Sequence, residues 1–164
     1  MSPIVVRDAE AHDLASIVAI YNQAVLETTA TFDTEPTTVK TRSLWFSQFG
    51  DEHPLLVAEH AGVVSGFAYY LPYRTRPAYA ATKESTIYVA PDLHKSGIGS
   101  ALYTELFARA RQRGVHAMIA VLGDDNPASV ALHRKFGFRF VGRLEQVGRK
   151  FERWVDTQFF ELLL

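Results

Sequence analysis

The sequence predicts a single α/β domain in which helices flank a central mixed sheet. Its 164 residues are enough for one domain with a substantial core, and no linker, internal repeat or low-complexity segment divides them. The apolar patterns predict strands and helices in the order β, α, α, β, β, β, α, β, α, β, β. The alternation of helices and strands in the second half is typical of helices packed on a shared sheet.

The chain begins with a short strand and a longer helix. The β-branched run at residues 4–7, bounded by Pro3 and Asp8, predicts the first strand. Asp13 is typical of a helix N-cap, and apolar residues recur at helical spacing after it. The predicted buried stripe of this helix comprises Leu14, Ile17, Val18, Tyr21 and Val25.

A threonine-rich stretch follows the first helix. Threonine side chains and Pro36 compete with regular backbone structure, so this stretch predicts a loop. We expect a second helix over residues 38–49, with Val39, Trp45 and Phe49 buried. The threonines of the stretch are Thr28, Thr29, Thr31, Thr34, Thr37, Thr38 and Thr41.

The middle of the chain predicts a β-hairpin, a loop and a strand. Residues 55–60 and 63–70 flank Ala61-Gly62 as the two arms of a hairpin flank their turn. Residues 71–81 hold two prolines and two arginines, which indicates a loop or a frayed strand end. Residues 85–90 predict the next strand, which Pro91 ends.

Two helices and three strands complete the prediction. A long amphipathic helix begins near Gly97 and ends before Gly114, and residues 117–122 predict a buried strand. Asn126-Pro127 combines an N-cap with a proline at the first helical position, and Gly137 is typical of a helix end. Residues 138–144 and 154–163 predict the closing strands, joined by residues 145–153. The buried stripe of the long helix would be Ile98, Leu102, Leu106, Phe107 and Ala110.

The composition excludes several classes of protein. Cysteine is absent, which excludes a disulfide scaffold, a thiolate zinc site and a cysteine nucleophile, and fits a reducing compartment. Lysine and arginine number 17 against 18 acidic residues, so no bulk basic field for nucleic acid exists. We expect neither a signal peptide nor a membrane span, and therefore a cytoplasmic protein.

The segment from residue 85 to residue 99 carries the most chemical information. A strand ends, a turn follows at Pro91, and residues 94–99 (HKSGIG) lead into a helix. Two glycines let backbone amides approach a ligand, and a helix N-terminus carries partial positive charge, so the segment predicts an anion cradle suited to a pyrophosphate. The glycine pair also fits an ordinary tight turn. The Walker A pattern is absent, and Leu102 stands where a Rossmann fingerprint needs a glycine.

Two motifs together resemble the GNAT N-acetyltransferases. Residues 85–99 resemble the family's motif A, whose pattern is Arg/Gln-x-x-Gly-x-Gly/Ala. Asn126, Ser129, His133 and the Gly-Phe pair at 137–138 are similar to the downstream helix, Asn-x-x-Ala/Ser-x-x-x-Tyr-x-x-x-Gly-Phe. Both motifs occur in the family's order and separation, and the resemblance extends over essentially the whole chain.

A narrower resemblance is to the phosphinothricin and methionine-sulfoximine N-acetyltransferases. It rests on residues 31–36 (TFDTEP), residues 84–89 (ESTIYV), His133, and residues 147–150 (VGRK) with Trp154 and Asp156. Two positions depart from the general GNAT pattern. His94 stands where Arg or Gln is usual, a position that contributes mainly its backbone. His133 replaces the usual general-acid Tyr, as it does elsewhere in this subgroup.

The resemblance implies a twisted, mostly antiparallel GNAT-like sheet and direct transfer of an acetyl group from acetyl-CoA to a primary amine. Acetyl-CoA would be a co-substrate, and backbone groups of one strand would pair with its pantetheine arm. The family's closing hairpin often borders the substrate or a partner subunit, so a homodimer is expected. The cofactor-binding residues that the resemblance implies are Ile87, Tyr88, Val89, His94, Lys95, Ser96, Gly97, Ile98, Gly99, Ser100, Asn126 and Ser129.

Two residues are candidates for acid–base catalysis. Glu84, just before the predicted strand, would take the proton that the amine must lose; the alternative is a solvated glutamate at a strand start. His133 would assist deprotonation or protonate the leaving thiolate; the alternative is a partly buried histidine packed beside Phe136. The remaining histidines show no metal-ligand spacing, so no metal is expected.

The loop at residues 71–81 suggests an anionic group on the substrate. Arginine binds a carboxylate bidentately, so a small amino-acid-like amine would be held here, with one of the two arginines remaining an ordinary exposed charge. Residues 32 and 35 resemble the subgroup's substrate-side residues. The predicted substrate-side residues are Phe32, Glu35, Arg74, Arg76, Tyr79, Ser85 and Thr86.

The leading hypothesis is an acetyl-CoA-dependent N-acetyltransferase of a small amino acid or an analogue such as phosphinothricin or methionine sulfoximine. One alternative is acetylation of protein N-termini or lysines. Another is a non-catalytic acyl-CoA-binding sensor, which would need neither Glu84 nor Arg76; a polyamine substrate would disfavour the two arginines. Without cysteine no acyl-cysteine forms, so we expect direct attack by the amine in a ternary complex.

Overall fold

A computed structural model describes residues 3–123 and 126–164 of the chain. Within these ranges four α-helices, seven strands and three short 3₁₀ turns occur. The strands are β1 (Ile4–Asp8), β2 (Leu55–His60), β3 (Val63–Pro72), β4 (Thr82–Val89), β5 (Ala117–Gly123), β6 (Arg139–Lys150) and β7 (Arg153–Leu163). The helices are α1 (Leu14–Glu27), α2 (Val39–Phe46), α3 (Ile98–Gln112) and α4 (Pro127–Lys135).

The seven strands form one sheet in the order β1-β2-β3-β4-β5-β7-β6. Every neighbouring pair is antiparallel except β4 and β5, which run parallel. The mixed, mostly antiparallel sheet flanked by helices that the sequence predicts is therefore confirmed.

Each face of the sheet is covered by its own set of helices. On one face, α3 and α4 pack over an apolar core that includes Leu102, Leu106 and Phe107. On the other face, α1 and α2 cover a second core. All five residues of each predicted helical stripe, in α1 and in α3, are buried. This second core comprises Ile17, Ile20, Tyr21, Val25, Leu55, Val57 and Phe67.

The two parallel strands are paired over only part of their length. Residues 82–85 of β4 pair with residues 117–120 of β5. Beyond these four pairs, β4 continues to Val89 and β5 to Gly123 without pairing to each other. On its other side β4 remains paired with β3 as far as Val89. The backbone of β4 at residues 86–89 therefore presents a strand edge to the gap between the two strands.

Several element boundaries differ from the sequence-based prediction. Helix α2 ends at Phe46 rather than at residue 49, because the hydrogen bonds that follow are tight i to i+3 turns. Val39 is exposed, because it is the first residue after the N-cap Thr38 and lies at the outer end of the helix. Trp45 and Phe49 are half-buried against Tyr69 rather than fully buried.

The strand carrying Glu84 and the last hairpin are longer than predicted. Strand β4 begins at Thr82, so Glu84 lies within it rather than before it. The segment joining β6 and β7 is strand except for the two-residue turn at Phe151 and Glu152, both with positive φ, as tight hairpin turns require. The residues at the start of β4 and near the turn of the last hairpin are strongly polar and show no alternation of apolar and polar side chains, so the sequence pattern did not indicate strand there.

Asp13 occupies the N-cap position of α1, but its carboxylate does not bond the helix amides. It accepts hydrogen bonds from the Arg7 guanidinium at 2.7 and 2.9 Å and from the Glu10 amide at 2.7 Å. In the described ranges, no helix is both long enough and apolar enough to cross a bilayer.

Candidate active site

A cavity of about 710 Å³ lies along the end of β4 that is not paired with β5, and Ile87, Tyr88 and Val89 contribute to its wall. Helix α1 contributes its C-terminal half to the wall, and the loop after it contributes Thr28, Thr29 and Ala30. On the opposite side the wall comes from the start of α3, from α4 and from the tip of the β6–β7 hairpin. Because α1 and α3 lie on opposite faces of the sheet, the cavity connects the two faces through the gap.

The loop before α3 forms the cradle that the sequence predicts. Lys95 and Gly97 adopt positive φ values of 66° and 94°, and Gly97 is the N-cap of α3. The first helical hydrogen bond in this turn runs from the Ala101 amide to the Gly97 carbonyl at 2.9 Å. The earlier amides of the helix therefore lack an intrahelical acceptor, and the positive end of the helix dipole lies with them.

Helices α3 and α4 meet closely beside this cradle. A Cβ added to Gly99 would lie 3.0 Å from Cδ2 of Leu132, so the glycine allows the helices to approach. Lys135 of α4 lines the cavity and donates a hydrogen bond to Ser100 Oγ at 2.8 Å. A lysine that the sequence analysis did not select thus adds positive charge beside the amides.

Most of the residues predicted to hold the cofactor line this cavity. Ile98 does not, because it is 1% exposed and packs into the core under α3. Ser96 does not line it either, and its hydroxyl donates to the Leu93 carbonyl at 2.6 Å. The other ten predicted residues all line it: Ile87, Tyr88, Val89, His94, Lys95, Gly97, Gly99, Ser100, Asn126 and Ser129.

The shape and polarity of the cavity fit acetyl-CoA. Amides of a helix N-terminus bind phosphate oxygens, and Lys95 and Lys135 add charge at the same end. The strand edge of β4 at residues 86–89 offers backbone donors and acceptors of the kind that an amide-containing chain pairs with. Asn126 accepts a hydrogen bond from the Ser129 amide at 3.1 Å, which confirms its predicted N-cap role.

Glu84 lies on the face of the sheet that α1 and α2 cover. Side chains alternate along β4, and Tyr88, four residues on, packs into the core on that face. Burial raises the pKa of the Glu84 carboxyl, and the positive charge of Arg74 partly opposes this rise. A carboxylate with a raised pKa is a stronger proton acceptor, so the position suits a general base.

His133 lies behind the cavity wall rather than in it. The ring is 2% exposed, and His133 is not among the residues that line the cavity. Its Nδ1 lies 2.7 Å from the Ser129 carbonyl oxygen, which can only accept, so Nδ1 carries the proton and donates. Its Nε2 then accepts a hydrogen bond from the buried Tyr103 hydroxyl at 2.8 Å. Burial lowers the pKa of the ring, so the imidazole is neutral with both nitrogens engaged.

Comparison with known proteins decides the family. The family model "Acetyltransferase (GNAT) family" matches residues 17–138, about three-quarters of the chain. The L-methionine sulfoximine/L-methionine sulfone acetyltransferase of Pseudomonas paraeruginosa is 41% identical over 161 residues, covering 97% of this chain and 94% of that protein. The chain belongs to the GNAT acetyltransferase family.

Two further relatives support the assignment. A phosphinothricin N-acetyltransferase of Streptomyces coelicolor is 42% identical, covering 95% of this chain and 94% of that protein. The crystal structure of a GNAT superfamily phosphinothricin acetyltransferase from Sinorhizobium meliloti, in complex with acetyl-CoA, superposes with a TM-score of 0.94 at 40% identity. That match covers 100% of this chain and 89% of the other. The GNAT protein described here is thus an acetyl-CoA-dependent acetyltransferase.

The arginine loop of this acetyltransferase forms a second concavity, of about 680 Å³, lined by residues 73–76 and 79. Arg74 stacks over the Tyr73 ring at 5.0 Å, and Tyr79 packs edge-on against the same ring. Arg74 is close enough to Glu84 to affect its pKa. Arg76 and Tyr79 are exposed on this loop.

The remaining predicted substrate-side residues fall in different environments. Thr86 shares the face of Glu84, because it lies two residues further along β4. Ser85 is 6% exposed and faces the α3 side of the sheet, so its side chain is separated from that of Glu84. Phe32 packs over Gly148 of β6, and Glu35 is exposed on the loop between α1 and α2.

Sequence reasoning missed several residues of the GNAT site. Phe151 and Arg153, at the tip of the last hairpin, line the cavity together with the start of α3 and with α4. Glycines within strands mark close approach of another backbone or side chain, and this signal was available at two positions. A Cβ on Gly123 would overlap the Thr29 carbonyl, and one on Gly148 would lie 2.5 Å from Cε1 of Phe32.

Among the described residues, no group of three His, Asp or Glu side chains is arranged to hold a metal ion.

Proposed function

We propose that this enzyme acetylates the primary amine of a small amino acid or analogue, such as phosphinothricin or methionine sulfoximine. The observation that carries the proposal is the half-buried Glu84, on the face that the cavity reaches through the sheet, with the Arg74 charge nearby. An amino acid carries an amine and a carboxylate. Its amine would lie beside the Glu84 carboxylate and its own carboxylate beside the Arg74 guanidinium. The names of the relatives support the same substrate class.

The cavity wall and Glu84, which is not part of that wall, have separate tasks in this reaction. Acetyl-CoA supplies a thioester that an uncharged amine can attack directly, with a thiolate as leaving group. The amides at the start of α3, with Lys95 and Lys135, hold its phosphates, and the edge of β4 at residues 86–89 orients the arm that carries the thioester. Glu84 Oε accepts the proton that the ammonium must lose before its nitrogen has a lone pair.

The substrate carboxylate is assigned to the arginine loop. Arg74 is the better candidate, because its charge already acts on Glu84, whereas Arg76 lies further along the exposed loop. Phe32 would close the opposite side from the loop between α1 and α2. Binding of the carboxylate to Arg74 would also reduce the influence of this arginine on Glu84, leaving the carboxyl a stronger base.

A packing role for His133 is better supported than a catalytic one. The neutral ring donates to Ser129 of its own helix and accepts from Tyr103 of α3. Neither nitrogen is therefore directed at the cavity, and the imidazole joins α4 to α3. This junction fixes the position of Ser129, which does line the cavity.

A panel of amines tests the proposed function. We expect thiol release from acetyl-CoA with phosphinothricin, methionine sulfoximine or an ordinary amino acid, and a much higher KM for the matched carboxamide, which lacks the carboxylate. Preference for peptides would instead indicate a protein N-terminal or lysine acetyltransferase. Binding of CoA without turnover of any amine would indicate a sensor and overturn the proposal.

We further propose that the enzyme is a homodimer. Strand β6 is the last strand of the sheet, and four of its apolar side chains, Phe140, Val141, Leu144 and Val147, are each about half exposed. Several half-exposed apolar side chains on one edge strand are a feature of surfaces that bind another protein. The cytoplasmic location expected from the sequence stays a prediction.

A further inference from the structure

The loop between α1 and α2, residues 28–38, forms one wall of the acetyl-CoA cavity and approaches the amine side of the site. Thr28, Thr29 and Ala30 line the cavity. The next residues turn toward the β6–β7 hairpin, and Phe32 packs over Gly148. The position of this loop therefore determines the shape of the cavity on the face that carries Glu84.

Lys150, at the end of β6, contacts this loop through the backbone of Thr31. The residue is only 4% exposed, and its Nζ donates a hydrogen bond to the Thr31 carbonyl at 2.8 Å across 119 positions of sequence. The Phe151 ring lies 5.1 Å from the same nitrogen. In the described part of the chain, no carboxylate forms an ion pair with Lys150, although the charge of Asp33 acts on it.

Burying the Lys150 ammonium costs free energy, and we expect such a cost to be retained only where the side chain positions another part of the molecule. Burial lowers the pKa of the Lys150 ammonium, because a charged group loses its hydration in the interior. One carbonyl is a poor replacement for water around three N–H groups, and an apolar side chain of similar length would pack with less penalty. A buried lysine at this point is therefore better explained by the contact it makes than by stability.

The loop residue that Lys150 holds is itself the centre of a small network. The Tyr21 hydroxyl of α1 lies 3.0 Å from Thr31 Oγ1 and donates to the Asp33 carboxylate. Thr31 is therefore held from two sides, by α1 through its side chain and by β6 through its carbonyl. The second tie joins the loop to an element remote in sequence and fixes its distance from the hairpin.

We propose that Lys150 is a positioning residue that fixes the loop at residues 28–38 from Thr31 onward and thereby sets affinity for the amine substrate rather than for acetyl-CoA. Residues 28–30, which line the cavity, are held independently of Lys150, because Thr28 bonds the Ala24 carbonyl of α1 and the Ala30 amide bonds the Thr28 hydroxyl. The assignment to the amine rests on the proposed function, because it takes the Glu84 face as the amine side. The tie between Lys150 and the loop does not depend on which amine is used.

The test compares two variants of Lys150. Lys150→Met keeps the approximate length of the side chain and removes the hydrogen-bond donor, whereas Lys150→Arg keeps a charged donor. Lys40→Met, an exposed lysine on α2, is the matched control. In Lys150→Met we expect faster hydrogen–deuterium exchange at residues 28–38 and an amine KM raised by about tenfold or more, with the acetyl-CoA KM within about twofold of wild type. Lys150→Arg should recover part of the amine affinity.

Other outcomes overturn the proposal. Unchanged exchange at residues 28–38 would show that Lys150 does not hold the loop. Faster exchange with an unchanged amine KM, or equal losses for both substrates, would show a structural role only. If Lys150→Met fails to fold, Lys150→Gln is measured instead. If wild type acetylates no amino acid, the proposed function fails, and the same comparison is made with the amine that the panel identifies.

Discussion

Two opposing effects set the pKa of the Glu84 carboxyl, namely its burial and the positive charge of Arg74 in the adjoining loop. Partial burial in β4 raises the pKa of the carboxyl, while the exposed Arg74 lowers it. A base must be ionised to act, so with Glu84 as the proposed base we expect activity to be lost as the pH falls through the pKa of Glu84 in the folded enzyme. Because that pKa lies above the ordinary value of 4.5, the acid limb of the rate profile lies above that of a free glutamate.

Replacing Arg74 with alanine should move the acid limb of kcat/KM to higher pH. The substitution removes the positive charge that favours the ionised carboxylate, so Glu84 protonates more readily. Arg111→Ala, an exposed arginine on α3, is the control and should leave the limb in place. Glu84→Gln should abolish the limb and lower turnover by about a hundredfold or more. A limb that survives in Glu84→Gln would exclude Glu84 as the base, and a limb that stays in place in Arg74→Ala would show that Arg74 does not act on the group that titrates there.

Individual residues were predictable from the sequence where a local pattern or a family motif marked them. The cradle glycines and Asn126 are marked by the order of strand, turn and helix, and the structure gives Asn126 the predicted N-cap bond. Lys150 belongs to the residues that carry the family resemblance, but its contact was not predictable, because its partner Thr31 lies 119 positions away and no periodicity reports a contact of that range. The buried environment of His133 depends likewise on Tyr103, a residue of another helix.

Strands β4 and β5 show which features of secondary-structure elements the sequence predicts and which it does not. Each is predicted within a few residues, but their divergence after four pairs is not, since strand propensity carries no information on where pairing stops. The loop after α1 lies across the open end of this gap. Its Thr29 carbonyl occupies the space that a side chain on Gly123, the last residue of β5, would need. A glycine there is therefore required by a contact between elements rather than by its own strand.

Gly123→Ala should destabilise the protein. Its Cβ would overlap the Thr29 carbonyl, which is backbone and can move only with the loop. Overpacking of this kind costs about 1–3 kcal/mol, equivalent to a Tm lower by about 2–12 °C for a chain of this size. Gly142→Ala on β6 is the matched control, because nothing lies within 4 Å of its added Cβ. We expect thermal unfolding of Gly142→Ala to match wild type within about 0.5 kcal/mol, and equal Tm values for the two variants would contradict this account of the loop.

At the scale of the whole molecule, the sheet consists of two parts joined along one short parallel pairing. Strands β1 to β4 form one part and β5 to β7 the other, with four residue pairs between them. The helices on both faces and the loop after α1 complete the connection. The cavity occupies the remainder of the junction, so acetyl-CoA would bind between the two parts and on both faces of the sheet at once. The order of elements predicted the architecture, whereas the short pairing between β4 and β5 was not predicted.

In the proposed homodimer, the outer strand β6 is the surface on which we expect the second copy of the molecule to pack. Two bulges interrupt its pairing with β7, at residues 140–142 and 144–148, and such bulges hinder edge-to-edge addition of another strand. The exposed apolar side chains are therefore expected to meet a partner through their faces rather than through backbone hydrogen bonds. Interfaces formed this way have a depleted charge content at their centre, so a carboxylate placed there is strongly unfavourable.

Sedimentation analysis should therefore find wild type at twice its mass of 18.4 kDa, and the double variant Val141→Glu/Val147→Glu as a monomer. Leu44→Glu is the control, because Leu44 is the most exposed large apolar residue of the described chain, at 81%, and lies on α2, away from β6. Its variant should remain dimeric, since one added charge on an unrelated surface leaves the β6 face intact. The double variant should retain its secondary structure by circular dichroism, because both valines are exposed in the isolated chain. A wild-type protein that sediments as a monomer at tens of micromolar, or a control that dissociates equally, would exclude β6 as the dimer contact.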